Sequence, residues 1–193
     1  GEQANLYAEL GMYDRALQLN TKAQHYSLLK DSFGLGDLYR YRAAIFGQTG
    51  IKDSIFYYLN QAEKISALQG SFKGVFVNKV TTVEAYLDYT DSVQKALTLA
   101  LSICPDSSRM PQWAKYELEL HLGRALLQTG KATQGIPLIE KAAQGFISMD
   151  MRSGEQKANN ILMDYYLSMN MNDAFVRCYK RSQTFTDSLN LAE

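Results

Sequence analysis

The stretch LGRALLQTGKATQGIPLIEKA, residues 122–142, decides how the chain is read. Leu122, Gly123 and Leu126 fall on one face of a helix. Gly130 interrupts it, and Gly135, Ile139 and Ala142 then step by four and three along one face of a second helix. Glycine adopts the left-handed backbone that ends a helix and opens a tight turn. The small Gly123 lets a facing helix approach closely, and Leu126 fills the space beside it.

Working outward, the same arrangement returns along the chain. The first copy is Gly11-x4-Ala16-x3-Asn20-x2-Ala23 and the second is Gly50-x4-Ile55-x3-Leu59-x2-Ala62. The third is Asp88-x4-Val93-x3-Leu97-x2-Ala100 and the fifth is Asn170-x4-Phe175-x3-Tyr179-x2-Ser182. Turn residues 11, 50, 88, 130 and 170 lie 39, 38, 42 and 40 positions apart. Four residues before each turn stand Tyr7, Phe46, Glu84, Leu126 and Tyr166. Seven before stand Ala4, Ala43, Thr81, Gly123 and, breaking the pattern, Met163. Each unit therefore reads as helix, short turn, helix.

The pattern predicts ten helices, at 2–10, 13–29, 33–49, 52–68, 71–87, 91–103, 109–129, 132–149, 153–169 and 172–190. No convincing period-two alternation occurs, so no sheet is expected. Connections are short and polar, as in Lys30-Asp31-Ser32, Gln69-Gly70-Ser71 and Arg152-Ser153-Gly154, and no linker divides the chain, which reads as a single domain over 1–193. Pro105 follows the sixth helix, Pro111 sits in the first turns of the seventh, and Pro137 with Gly135 predicts a bend in the eighth.

These residues resemble the tetratricopeptide repeat (TPR), whose signature runs W-x2-L-G-x2-Y…A-x3-F…P. Leu122-Gly123-x2-Leu126 stands at L-G-x2-Y; the first unit keeps Tyr7, Gly11, Tyr13, Ala16 and Ala23, and the third keeps Ala100 and Pro105. The units run near 40 residues, against the common repeat of about 34, and Trp113 is off-pattern. Arg42 and Glu84 stand where apolar residues are expected. HEAT and armadillo repeats share the longer period. The resemblance implies an all-α fold, a right-handed α-solenoid of about five antiparallel helix pairs. It also implies a non-catalytic scaffold that binds a protein or peptide along the first helices of the pairs. A narrower likeness is to the longer-period TPR arrays of bacterial membrane-bound regulators. Asp53-Ser54 and Asp91-Ser92 open second helices, and Thr186-Asp187-Ser188-Leu189 closes the chain. It implies an extracytoplasmic sensory arm as the alternative function, and an extracytoplasmic location.

On those first helices the exposed side is expected to carry Arg40, Tyr41, Gln48, Asn78, Lys79, Tyr86, His121, Arg124, Gln128, Lys157, Asn160 and Asp164. Basic and aromatic residues outnumber acids in this set, which suits an extended segment bearing a carboxylate. The Lys, Asn and Arg set of the family's two-carboxylate clamp is absent, so chaperone-tail binding is not implied.

Composition narrows the classes further. The 193 residues are 46% hydrophobic and 21% charged, with 20 basic and 20 acidic side chains, so the formal net charge is zero. A neutral chain without a basic run has little electrostatic reason to bind nucleic acid. No apolar stretch approaches the roughly 20 residues of a membrane span. The chain begins on Gly1 rather than Met, so the start is uninformative about a leader. Cys104 and Cys178, placed in non-neighbouring units, read as core residues rather than a disulfide or metal pair. His25 and His121 have no ligand-spaced companions, Gly34-x-Gly36 lacks the rest of a dinucleotide fingerprint, and Glu117 and Glu119 point apart on a helix. No catalytic residue, metal or cofactor is expected; an all-helical enzyme with carboxylates meeting across repeats is the remote alternative. The first helix is short and lacks a preceding partner. It is expected to follow upstream repeats or to pack in a homodimer.

Overall fold

In the computed structural model, residues 2–29 and 34–190 are described. Among them the chain forms ten α-helices: α1 (Glu2–Glu9), α2 (Tyr13–Leu29), α3 (Leu35–Thr49), α4 (Lys52–Leu68), α5 (Phe72–Tyr89), α6 (Val93–Ile103), α7 (Gln112–Gln128), α8 (Ala132–Ser148), α9 (Arg152–Ser168) and α10 (Asn172–Asn190). A 3₁₀ segment, Cys104–Arg109, precedes α7. No strand occurs among the described residues. The expected connection Lys30-Asp31-Ser32 and the expected helix start at residue 33 lie outside them.

The chain divides into two compact units, Gly1–Ile103 and Cys104–Glu193. In the first, α1 to α6 pack in chain order. In the second, α7 to α10 do the same. Within each unit a helix buries its apolar stripe on its neighbours in the chain, because a single helix pair cannot cover its own. Ala8, Ala16 and Ile45 close the contact between the first two pairs. Ile55, Leu59, Ala43 and Ala85 form the next core. In the second unit Leu120, Ile139, Phe146 and Leu162 are fully enclosed.

Backbone geometry shows why the turn residues sit where they do. Gly11, Gly50 and Gly130 have φ of 73°, 73° and 78°, and Asn170 has 55°. Each closes its helix with its N–H on a carbonyl three residues back, as Gly130 does on Leu127. Gly70 and Asp150 repeat the device between pairs, with φ of 65° and 53°. The connection expected at Arg152-Ser153-Gly154 therefore falls at Met149–Met151, and residues 152–154 open α9.

The third unit corrects the expected register. Asp88 is not a turn residue; it lies inside α5, and the chain turns at extended Thr90 (φ −141°, ψ 163°). The Thr90 hydroxyl donates to the Tyr86 carbonyl and accepts from the Ser92 N–H, doing with a side chain what a left-handed glycine does elsewhere. With turns at 50, 90, 130 and 170 the interval becomes 40 each time. Tyr86 then replaces Glu84 as the bulky residue four before the turn, and fully buried Val83 replaces Thr81. The second helix of this unit keeps the earlier register, with Leu97 and Ala100 buried. Eleven residues separate Tyr86 from Leu97, against thirteen from Phe46 to Leu59 and from Leu126 to Ile139. The turn is two residues short, and α6 starts late.

Asp53-Ser54 opens α4 as expected: Ile51 is the N-cap and makes no side-chain cap, and Asp53 lies in the first turn, where its charge favours the positive helix end. Pro111 caps α7 at φ −53° and ψ 146° rather than lying within its first turns. Pro137 lies inside α8, which continues as α-helix past it.

Small residues set the helix spacing. A Cβ on Gly123 would lie 2.6 Å from Ile139 Cγ1 and 2.8 Å from the Gly135 carbonyl, and one on Gly135 would lie 2.7 Å from the Gly123 carbonyl. The two glycines face each other where α7 crosses α8, so backbone meets backbone there. The glycine of the signature is thus used for close approach, as expected.

Candidate functional site

A surface able to hold an extended segment must come from side chains the core does not use. The first helices offer Asp37, Arg40 and Tyr41 on α3, Thr81 and Glu84 on α5, Glu117 and Arg124 on α7, and Lys157, Asn160 and Asp164 on α9, all exposed or half-buried. Gln48 and Gln128 are exposed at the helix ends. On α3, an Arg40 Nη donates to Asp37 at 3.0 Å, and the guanidinium lies 5.1 Å from the Tyr41 ring centre. Its buried Nε has no hydrogen-bond partner.

Four expected groove residues are placed differently. Asn78 is 2% exposed, and its amide donates to Ser66 Oγ of α4 at 3.0 Å, so it ties α5 to α4. His121 is also 2% exposed and lies 3.5 Å from Glu117 one turn earlier. Lys79 reaches Glu63 of α4 at 3.9 Å. Tyr86 packs on Phe56 of α4 with ring centres 4.8 Å apart and the planes tilted by 31°, and Lys95 of α6 lies 5.9 Å from its centre. Lys79 and Tyr86 therefore face the second helices. Helix periodicity identifies which residues share a face; it does not say which neighbour takes that face.

The polar residues that sequence reasoning missed do structural work between helices. Asn20 donates its amide to the Leu38 carbonyl at 3.0 Å, joining α2 to α3. Arg42, expected as an apolar position, donates to Thr21 Oγ1 at 3.0 Å and Gln24 Oε1 at 3.3 Å, with its guanidinium 5.1 Å from the Tyr58 ring centre. Its departure from the repeat pattern was the available signal. Glu119 pairs with Lys141 of α8. Cys104 is half-buried near Glu119; burial, and then the Glu119 charge, raise its thiol above the ordinary value. No group of three or more His, Cys, Asp or Glu side chains gathers as a metal site among the described residues. No helix among them is long and apolar enough to cross a membrane.

The fold defines a class. The chain has the TPR-like helical-repeat fold, all-α, with helix pairs packed in chain order within each unit. It is similar to a kinesin light chain protein of Podosopora anserina described as having nearly identical TPR-like repeats: TM-score 0.63, 14% identity, covering 97% of this chain and 93% of that one. A single-substitution variant of that protein matches with TM-score 0.65, 14% identity and coverage of 98% and 93%. At that identity the likeness is one of fold. No protein-family model and no curated protein sequence matches the chain.

Proposed function

We propose that this chain is a non-catalytic scaffold that holds an extended peptide of a partner protein on the exposed side of its first helices. The observation that carries this reading is the division of labour between helix faces. The apolar stripes are consumed by neighbouring helices, while the other side of α3, α7 and α9 keeps charged and amide side chains at helical spacing. Arg and Lys suit a carboxylate, and Asn suits a peptide backbone, which can both give and accept hydrogen bonds. In the second unit the surface is formed by Arg124 of α7 with Lys157 and Asn160 of α9; in the first, by Arg40 and Tyr41.

The test is selection of peptides from a displayed random library on the purified chain, followed by titration of the enriched sequences. Arg124→Glu with Lys157→Glu, or Arg40→Glu, should weaken binding about tenfold or more while leaving the thermal midpoint nearly unchanged. Peptides that bind all three proteins equally would remove this surface from consideration.

We further propose self-association through a terminal helix. Leu6 is 56% exposed and Tyr179 48% exposed, at repeat positions where Ile45 and Leu59 are buried. Light scattering showing a monomer at every concentration would count against it.

A further inference from the structure

The second unit holds a cavity of about 240 Å³ lined by Glu140 of α8, Leu162 and Tyr166 of α9, and Ala174, Arg177 and Cys178 of α10. The repeat register explains why it is there. Glu140, Ala143, Leu162, Tyr166 and Cys178 occupy the positions of Thr21, Gln24, Arg42, Phe46 and Tyr58 in the first unit. There the corresponding space is filled from within. Arg42 rises from α3, lies beside the Tyr58 ring and donates to Thr21 and Gln24 of α2. In the second unit Arg becomes Leu, Tyr becomes Cys and Gln becomes Ala. Three losses of side-chain volume at one register leave the hollow.

The acceptor side has changed in the complementary sense. Where Arg42 meets the neutral hydroxyl of Thr21, the second unit presents the carboxylate of Glu140. Among the described residues no ion pair or side-chain hydrogen bond joins Glu140 to Arg177, which lines the same cavity. The floor is an aromatic ring, a leucine and a thiol, suited to an aliphatic stem under a cation.

We propose that this cavity is a binding site for an arginine side chain of a partner peptide, with its guanidinium on Glu140 and its stem along Tyr166 and Ala174. Arg177 then favours an acidic residue beside that arginine. Arg42 of the first unit is the built-in counterpart of this ligand. The site is made by α8 and α10 with another face of α9, and it uses none of Arg40, Tyr41, Arg124, Lys157 and Asn160, so it does not depend on the surface proposed above.

The probe is the peptide acetyl-Gly-Arg-Glu-Gly-amide, titrated into the whole chain by NMR or calorimetry, with the citrulline analogue as the neutral isostere. The arginine peptide should bind, and the citrulline peptide and Glu140→Gln should each lower affinity about tenfold. Ala143→Gln with Cys178→Tyr, which rebuilds part of the first unit's filling, should abolish binding while the helical circular-dichroism signal is kept. Glu140→Gln keeps the cavity intact, so it remains decisive if the filled variant fails to fold. Absence of binding to the unaltered chain, equal affinity for citrulline, or indifference to Glu140→Gln would each overturn the assignment.

Discussion

At the residue scale, single atoms decide where helices can meet. Gly123 faces Gly135 so closely that one added carbon has no room on backbone or Ile139. Gly123→Ala should therefore lower stability by roughly 1–3 kcal/mol in urea unfolding, the usual cost of overpacking a close contact. Cys104 makes a different prediction. Its raised thiol holds less thiolate at a given pH than an ordinary cysteine, and the thiolate is the nucleophile. Alkylation by iodoacetamide should therefore be slower than for a free thiol at pH 8, and its rate should keep climbing above pH 9. Glu119→Gln removes the smaller of the two causes and should speed the reaction at fixed pH; an unchanged rate would leave burial as the whole explanation.

At the scale of elements, the α5–α6 turn shows how a repeat tolerates a shortened connection. The Thr90 side chain supplies the hydrogen bonds that a left-handed glycine supplies in other units. Asp88, read from the sequence as the turn, lies within α5. Asp88→Gly should then lower stability by a few tenths of a kcal/mol, about the gap in helix propensity between Asp and Gly, as judged by urea unfolding. A turn residue with positive φ would gain from the same change. Gly130→Ala, at φ 78°, should cost about 1–2 kcal/mol because a side chain strains that conformation. At the start of α5 the Ser71 hydroxyl accepts from the Gly74 N–H at 3.1 Å, and Ser71→Ala should lose about 1 kcal/mol of that cap, measurable as a lower thermal midpoint.

At the scale of the whole molecule, stability is a sum over neighbours in the chain rather than the property of one central core. Gly47 accommodates the Tyr89 ring in the first unit, and Gly123 accommodates Gly135 and Ile139 in the second; the two share no partner. The losses from Gly47→Ala and Gly123→Ala should add to within about 0.5 kcal/mol in the double variant. A larger deviation, seen in equilibrium unfolding, would mean that strain passes along the array. Where the apolar stripes are spent on adjacent helices, binding falls to faces left polar and to hollows left by missing volume.

The sequence by itself determined the helices, their pairing and the period. These follow from local rules: apolar spacing of three and four, glycine, asparagine or aspartate at left-handed turns, and a small residue at the crossings of the first, second and fourth units. It also located Arg40, Tyr41, Arg124, Lys157 and Asn160 on accessible helix faces. Only the tertiary structure decided that Asn78 and His121 are enclosed, that Lys79 and Tyr86 turn toward the second helices, and that the third turn is two residues short. The same holds for Arg42 filling a space that its counterpart Leu162 leaves open. These outcomes depend on which helix lies alongside and how much volume each neighbour brings, and no periodicity within one helix carries that information.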